Sequence, residues 1–257
     1  MKFFKFRVLI LSLLLVVGNA EAGGFENCSI SFLNGRPPVV DISLLKNSSE
    51  LCSTGHASLF SSITKTPLFS ASFLSVGRLA SASDMDRVDS FKEDNRLPYD
   101  SRSNLGDFVR SGYDRGHLAP NSDMGDREQQ SDSFLLTNMI PQNPDNNRHL
   151  WANIERVTRS MAKEKGGAYV VTGGAFIGDT VSIGNGVYVP THVFKAVYFP
   201  KTRESSVWFA KNAAGNNYEV ISVVELNKRI GIDPFPSLSV QVKSTVVEFD
   251  PPKKFKY

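Results

Sequence analysis

Three ionisable side chains stand within four residues at Asp114, Arg115 and His117, separated only by Gly116. A carboxylate, a guanidinium and an imidazole are all costly to strip of water, so this is not the text of a buried core strand. A solvated polar turn would tolerate the set. A reactive cleft would use it. A neutral imidazole, with an ordinary pKa of about 6.5, can take a proton from water near neutral pH. A guanidinium fork fits the oxygens of an anion. More polar groups follow about thirty residues on: Asn138, Pro141 and Gln142 at the end of an apolar run, then Asn147, Trp151 and Glu155.

These three linked motifs resemble the DNA/RNA non-specific endonucleases, the ββα-metal or His-Me finger nucleases of the endonuclease G type. The pattern is Asp114 to His117, Asn138 with Pro141 and Gln142, and Asn147 with Trp151 and Glu155. The likeness is clearest from Val76 to Ile177 and continues weakly to Leu238. It implies hydrolysis of DNA and RNA phosphodiesters with little sequence preference, as expected when contacts are mainly to phosphate. It also implies a role for each matching residue. His117 is the candidate base, Asn147 the metal ligand, and Arg115, Arg78 and Arg159 candidate phosphate contacts. Gly116 is expected to let the backbone turn the imidazole into the cleft. Asp114 is expected to orient the loop rather than to react.

The implied cofactor is Mg²⁺ or Mn²⁺. A hard cation takes oxygen ligands and keeps several waters, so one amide oxygen from Asn147 is enough protein for the site. Glu155 is a poor second ligand. If both residues are helical, eight positions separate them by about 12 Å along the axis. Glu155 is therefore expected to hold metal-bound water or an arginine. A homodimer and a protein inhibitor are compatible partners beside the nucleic acid. Two rival readings remain: a non-catalytic nucleic-acid-binding or interaction protein on the same scaffold, and a zinc hydrolase. The four histidines form no His-x-x-x-His or His/Cys cluster that would support the second.

The elements that must position these residues can be read coarsely. Pro67–Gly77 reads as a strand, and residues 79–110 as a long polar loop that walls the cleft. Gln129–Phe134 reads as a helical turn and Phe134–Ile140 as the second strand of a hairpin. Arg148–Lys165 is the best helix, with an apolar stripe through Trp151, Ile154 and Met161 and a stop at Gly166-Gly167. Asn147 could cap that helix. Strands are expected at 168–171, 187–199 and 207–212. Ser222 and Glu225 form a capping box before a helix ending at Gly231. Strands and helices interleave without regular βαβ spacing. The expected fold is α+β, a central antiparallel sheet flanked by helices, carrying the hairpin-plus-helix metal finger.

The chain has 257 residues, of which 41% are hydrophobic, enough for one large domain. Lys2, Lys5 and Arg7 precede an apolar run and Ala20-Glu21-Ala22, which reads as a signal peptide cleaved after Ala22 and so as a secreted or periplasmic protein. No membrane contact is expected after cleavage. The formal charge of +3 falls to +1 without those residues, so any polyanion site must be a local patch. Arg78, Arg110, Arg115, Arg148, Arg156 and Arg159 are its candidates. Cys28 and Cys52 are the only cysteines and are expected to pair in an exported chain. The boundaries expected are a leader at 1–22, an N-terminal disulfide-containing extension at 23–65 and a family-like core at 66–240, the whole of 23–257 being one domain.

Overall fold

The computed structural model describes residues 24–252; the expected leader and the last five residues lie outside the described residues. The core is a seven-stranded sheet. In chain order its strands are β2 (Ser48–Cys52), β3 (Ala57–Ser61), β4 (Thr66–Leu74), β7 (Ala168–Ala175), β10 (His192–Phe199), β11 (Glu204–Lys211) and β12 (Tyr218–Ile221). A two-residue strand β1 (Val39–Val40) lies outside this sheet and pairs with β13 (Ile232–Asp233). The site hairpin is β5 (Asp114–His117) with β6 (Met139–Gln142), and a third small ribbon is β8 (Val181–Ile183) with β9 (Val187–Val189). The large sheet runs β12-β11-β10-β7-β4-β3-β2, and every pairing in it is antiparallel. This is the α+β, central-antiparallel-sheet class expected from the sequence.

Both faces of the sheet are covered, which is why its strands read as nearly continuous apolar runs. In β10, Phe194, Ala196 and Tyr198 join one core with Phe69, Ala71, Val171 and Phe235. Val193, Val197 and Phe199 point the other way and pack with Leu79, Trp151, Ile154 and Met161. The second face is the one that carries the site. It is covered by α1 (Val76–Ser83) and α3 (Ala152–Glu164), while α4 (Val223–Ile230) covers the first face. Two shorter helices, α2 (Arg127–Ser133) and α5 (Val240–Ser244), complete the set. Ser222 caps α4 by accepting from the Glu225 amide at 3.1 Å, and Gly231 ends it in the left-handed conformation at φ 71°; the Glu225 carboxylate accepts from Arg229 Nε at 2.8 Å, so only the serine half of the expected capping box is seen.

Three departures matter. The described part of the expected N-terminal extension, residues 24–65, supplies the last two strands at one end of the central sheet, β3 and β2, and all five residues of β3 are buried. The polar text from residue 79 hides the end of a helix, α1, which Ser75 caps through the Arg78 amide at 3.1 Å. The π-helical turn Asn146–Trp151 opens the metal-finger helix before α3 begins. Its cap is Asn143, whose Oδ1 accepts from the amides of Asp145 and Asn146 at 3.1 and 3.2 Å, with Pro144 at the first helical position. Asn147 therefore lies inside the turn and its side chain is free of capping duty.

Cys28 and Cys52 form a disulfide across 24 residues of sequence. It ties the short helical segment Phe25–Ser31 to β2, and Phe25 packs on Phe32 and Phe69 beneath it. The crosslink restricts the unfolded chain more than the folded one, for a contribution of about 2–4 kcal/mol. Cys28→Ser/Cys52→Ser should lower the stability by that amount in urea unfolding. An unchanged midpoint would show that the packing of Phe25 and Phe32 alone holds the segment.

Candidate active site

The site grows from the β5–β6 hairpin. Asp114 pairs with Gln142, Arg115 with Pro141, Gly116 with Ile140 and His117 with Met139. Alternation along β5 sends Asp114 and Gly116 to one face and Arg115 and His117 to the other. Gly116 is required by contact rather than by backbone freedom. It has no positive φ, but a Cβ there would run into the Gln142 side chain, with Cβ 2.6 Å away and Oε1 closer still. Gln142 cannot retreat, because it is fully buried and donates to Asn146 Oδ1 at 2.7 Å. Asn138 is a structural clasp: the Ala119 N–H donates to its Oδ1 at 3.0 Å and its Nδ2 donates to the Ala119 carbonyl at 2.9 Å. That clasp fixes the chain just after His117.

Four of the six residues singled out by sequence, Arg115, His117, Asn147 and Glu155, line one cavity of about 570 Å³. The segment 79–110 does wall it, through Arg87, Asp89, Phe91, Leu105, Phe108 and Val109. Asp114 is the organiser. It accepts from Asn147 Nδ2 at 2.9 Å and from Arg148 Nε and Nη2 at 2.8 and 2.6 Å. An ionised carboxylate only accepts, so it selects the NH₂ side of the Asn147 amide and leaves Oδ1 for the cavity. The arginine that pairs with Asp114 is Arg148, not its chain neighbour Arg115. Arg115 instead lies over the Phe91 ring at 4.1 Å.

His117 is wedged between Phe91 and Phe134, with ring centroids 5.6 and 5.0 Å away. Burial, with a smaller push from Arg87, lowers its pKa to about 3, so the ring is neutral at ordinary pH. Its Nε2 is buried and meets no hydrogen-bond partner among the described residues. Glu155 moves the opposite way. Burial raises its pKa to about 7, against the pull of Lys195 and Arg159. The π turn helps to bring the helix residues to one wall: Asn147 and Ala152 are five apart and both line the cavity, a spacing wider than an α-helical turn provides.

Arg78 and Arg159 lie behind this wall, not on it. Arg78 donates to the Asp123 carbonyl at 2.6 Å and to the Phe73 carbonyl at 3.4 Å. Arg159 pairs with the Asp123 carboxylate at 3.0 Å rather than with Glu155. Their guanidinium groups hold the Asn121–Asp123 turn, and neither is among the residues that line the cavity. Arg87, which the sequence reading did not single out, lines the cavity with Arg115 and Arg148; it pairs with Asp89 at 2.5 Å and lies over Phe134 at 5.4 Å. The other histidines sit apart. His56 is fully buried at the start of β3, His192 stacks on Phe209, and His149 approaches Asp145 at 3.7 Å. Among the described residues no group of three or more His, Cys, Asp or Glu side chains is placed to hold a metal. No helix among them is long and apolar enough to cross a membrane.

A hairpin presenting an imidazole to a helix that presents an amide oxygen defines the ββα-metal nuclease class. The chain belongs to the DNA/RNA non-specific endonuclease family, which it matches over residues 41–241. It is 31% identical over 208 residues to the mitochondrial Nuclease 1 of Schizosaccharomyces pombe, covering 76% of this chain and 62% of that protein. It is 30% identical over 219 residues to the mitochondrial nuclease EXOG of Danio rerio, covering 77% and 64%. The match thus spans less than two thirds of either relative. In fold it is similar to a chain of the crystallised EndoG/EndoGI complex, with a TM-score of 0.65 and 23% identity, covering 75% of this chain and 91% of that one. The expected secreted or periplasmic address is overturned by these matches: the relatives named for a compartment are mitochondrial nucleases. That expectation rests on the composition of residues 1–22 alone.

The close approach at Gly116 makes a sharp prediction. Gly116→Ala should destabilise the protein by about 1–3 kcal/mol in chemical denaturation, the usual cost of overpacking a filled site. Gln142→Ala, which makes room, should recover part of that loss in the double variant. An independent, additive effect of the two would show that the contact with Gln142 is not what excludes a side chain at 116.

Proposed function

We propose that this chain is a divalent-metal-dependent endonuclease that hydrolyses phosphodiester bonds of DNA and RNA with little sequence preference. The observation that carries the reading is the single cavity lined by a neutral His117, an Asn147 amide oriented by Asp114, Glu155, and the guanidinium groups of Arg87 and Arg115. The donor set suits Mg²⁺ or Mn²⁺ rather than zinc. One protein oxygen, from Asn147, is offered beside a roomy polar cavity, which leaves most ligand positions to water and phosphate.

When bound, the cation supplies charge stabilisation at the phosphate oxygens. The rest belongs to the chain. His117 accepts the proton of the attacking water at its buried, unpartnered nitrogen. Arg115, held flat by Phe91, and Arg87, held over Phe134, bind the charge of the phosphate backbone. Glu155 fixes water at the inner wall and needs its negative charge to do so. Contacts of this kind address phosphate, which every nucleotide shares, and so give no base preference.

A plasmid-degradation assay tests the reading. The protein should convert supercoiled DNA and also degrade RNA, and EDTA should stop both. His117→Ala should lower turnover by about 10²–10⁴-fold, the range for loss of a general base. A chain that binds plasmid and leaves it intact at every metal concentration would be the non-catalytic binding protein instead.

The pH dependence follows from the two opposed shifts. In the empty cleft His117 is neutral above about pH 3, so it contributes no acid limb to kcat/KM in the working range. Glu155 is protonated below about pH 7 and ionised above it. Turnover should therefore rise as pH increases through about 7, and Glu155→Gln should be slow at all pH values and lack that rise. A limb that survives intact in Glu155→Gln would assign it to another group.

A further inference from the structure

Lys195 is the most deeply buried charge in the fold. It lies in the middle of β10 with 1% of its surface exposed, between Phe194 and Ala196 in an otherwise apolar strand. Strand alternation turns it to the α3 face, with Val193 and Val197. Its ammonium donates to Thr172 Oγ1 at 2.7 Å, from the register partner on β7. On its open side it stands over the Trp151 ring at 5.8 Å, one helical turn before Glu155. A hydroxyl and a ring face do not offset the loss of water around an ammonium ion; a buried charge of this kind calls for an opposite one. A lysine would be a poor choice for this strand position on packing grounds, since methionine fills the same volume without the charge.

Three charged side chains face it beneath the cavity. Glu155 projects from α3, Arg159 from the next turn, and Asp123 from the turn after β5, where Arg159 pairs with it at 3.0 Å. Arg87 acts on Glu155 from the cavity rim. Asp123 is already matched by Arg159, which leaves Glu155 as the anion that answers Lys195. Only Glu155 of this pair lines the cavity; Lys195 lies behind it. We propose that Lys195 is a positioning residue, a buried cation tethered by Thr172 that keeps the Glu155 carboxylate ionised and turned to the cavity wall. The direction of the electrostatics agrees: Lys195 is the largest charge acting to lower the Glu155 pKa against burial, and Glu155 the largest acting to hold the Lys195 proton. The proposal deepens the nuclease reading and rests on it for the consequence to turnover, though not for the pairing itself.

The pairing can be measured without nucleic acid or metal. In the metal-free protein, the Glu155 side-chain carboxyl carbon, assigned by its loss in Glu155→Gln, is titrated by NMR. Lys195→Met should raise its midpoint by at least about one pH unit, the scale on which a nearby opposite charge acts. In the nuclease assay, Lys195→Met should move the rise in turnover upward by a similar interval. In a Glu155→Gln background the same substitution should cost little further activity, because the group it acts through is gone. If Lys195→Met does not fold, the reciprocal reading remains: Glu155→Gln should lower the Lys195 ammonium midpoint, since coupling works equally in both directions. An unmoved Glu155 midpoint in Lys195→Met, or an unmoved Lys195 midpoint in Glu155→Gln, overturns the pairing. A shifted midpoint in a protein that cuts no nucleic acid overturns the nuclease reading and leaves the pairing standing.

Discussion

The cleft depends on a carboxylate that can only accept. Asp114 takes one proton-bearing group from Asn147 and two from Arg148, and these three bonds join β5 to the start of the metal-finger helix. With Asp114 in place the Asn147 amide has one orientation, and its oxygen is the atom turned to the cavity. Arg148 holds the same carboxylate at the solvent edge, where its own side chain is 64% exposed; such a pair is worth little as stability. Its value lies in geometry, since a bidentate guanidinium fixes the plane of the carboxylate that orients the amide. Everything upstream serves this arrangement. The absence of a side chain at 116 lets β5 sit against Gln142, and Gln142 anchors Asn146 one residue before Asn147.

Behind that front wall the charges are arranged in depth. Arg78 and Arg159 bind the two ends of Asp123, one at its carbonyl and one at its carboxylate, so the turn after the histidine is held by cations from α1 and α3. Asp123 is nearly fully buried, and removing either arginine would leave a polar group there without its partner. This gives the two arginines a strong reason to be where they are without any contact to substrate. The front row, Arg87 and Arg115, is held differently: each guanidinium rests on an aromatic ring, Phe134 and Phe91, which together also enclose His117. A cation on a ring face keeps its donors available at the ring's edge, whereas a cation in a buried salt bridge has spent them.

Local chemistry was legible in the sequence wherever the residues that act are also neighbours in the chain. Asp114, Arg115, His117, Asn147 and Glu155 match the family's motifs by their order and spacing and line one cavity, and the helix stripe and the Ser222 cap read directly. What was not legible depends on contacts between distant segments. Nothing local distinguishes Arg78 at a helix start from Arg87 in the loop beyond; only the fold shows that the second returns to the cavity while the first turns inward. Gly116 reads as a hinge because glycine permits unusual backbone angles, yet its reason is a neighbour 26 residues away on β6. Lys195 is hidden in apolar strand text that gives no sign of the helix crossing above it. The strands β2 and β3 are short and serine-rich, and their place in the sheet is settled by pairing, β3 with β4 and the edge strand β2 with β3, rather than by their own pattern.

The burial that keeps His117 neutral also makes it a weak base, and these two effects pull against each other. A general base works best when its pKa lies near the working pH. An imidazole held down to about 3 is far from that condition in the empty cleft. Part of the depression comes from Arg87 and Arg115, cations that repel a proton on the ring. A phosphate seated between those guanidinium groups would cancel their charge and add its own negative field beside the imidazole, and both changes raise the affinity of the ring for a proton. Burial by Phe91 and Phe134 would then act in the productive direction, since a charge interaction is stronger where water is excluded. On this argument the base strength of His117 belongs to the occupied cleft. The arginines that line the cleft and the aromatic rings beneath them are the same groups that hold the imidazole in its proton-free state in the empty cleft.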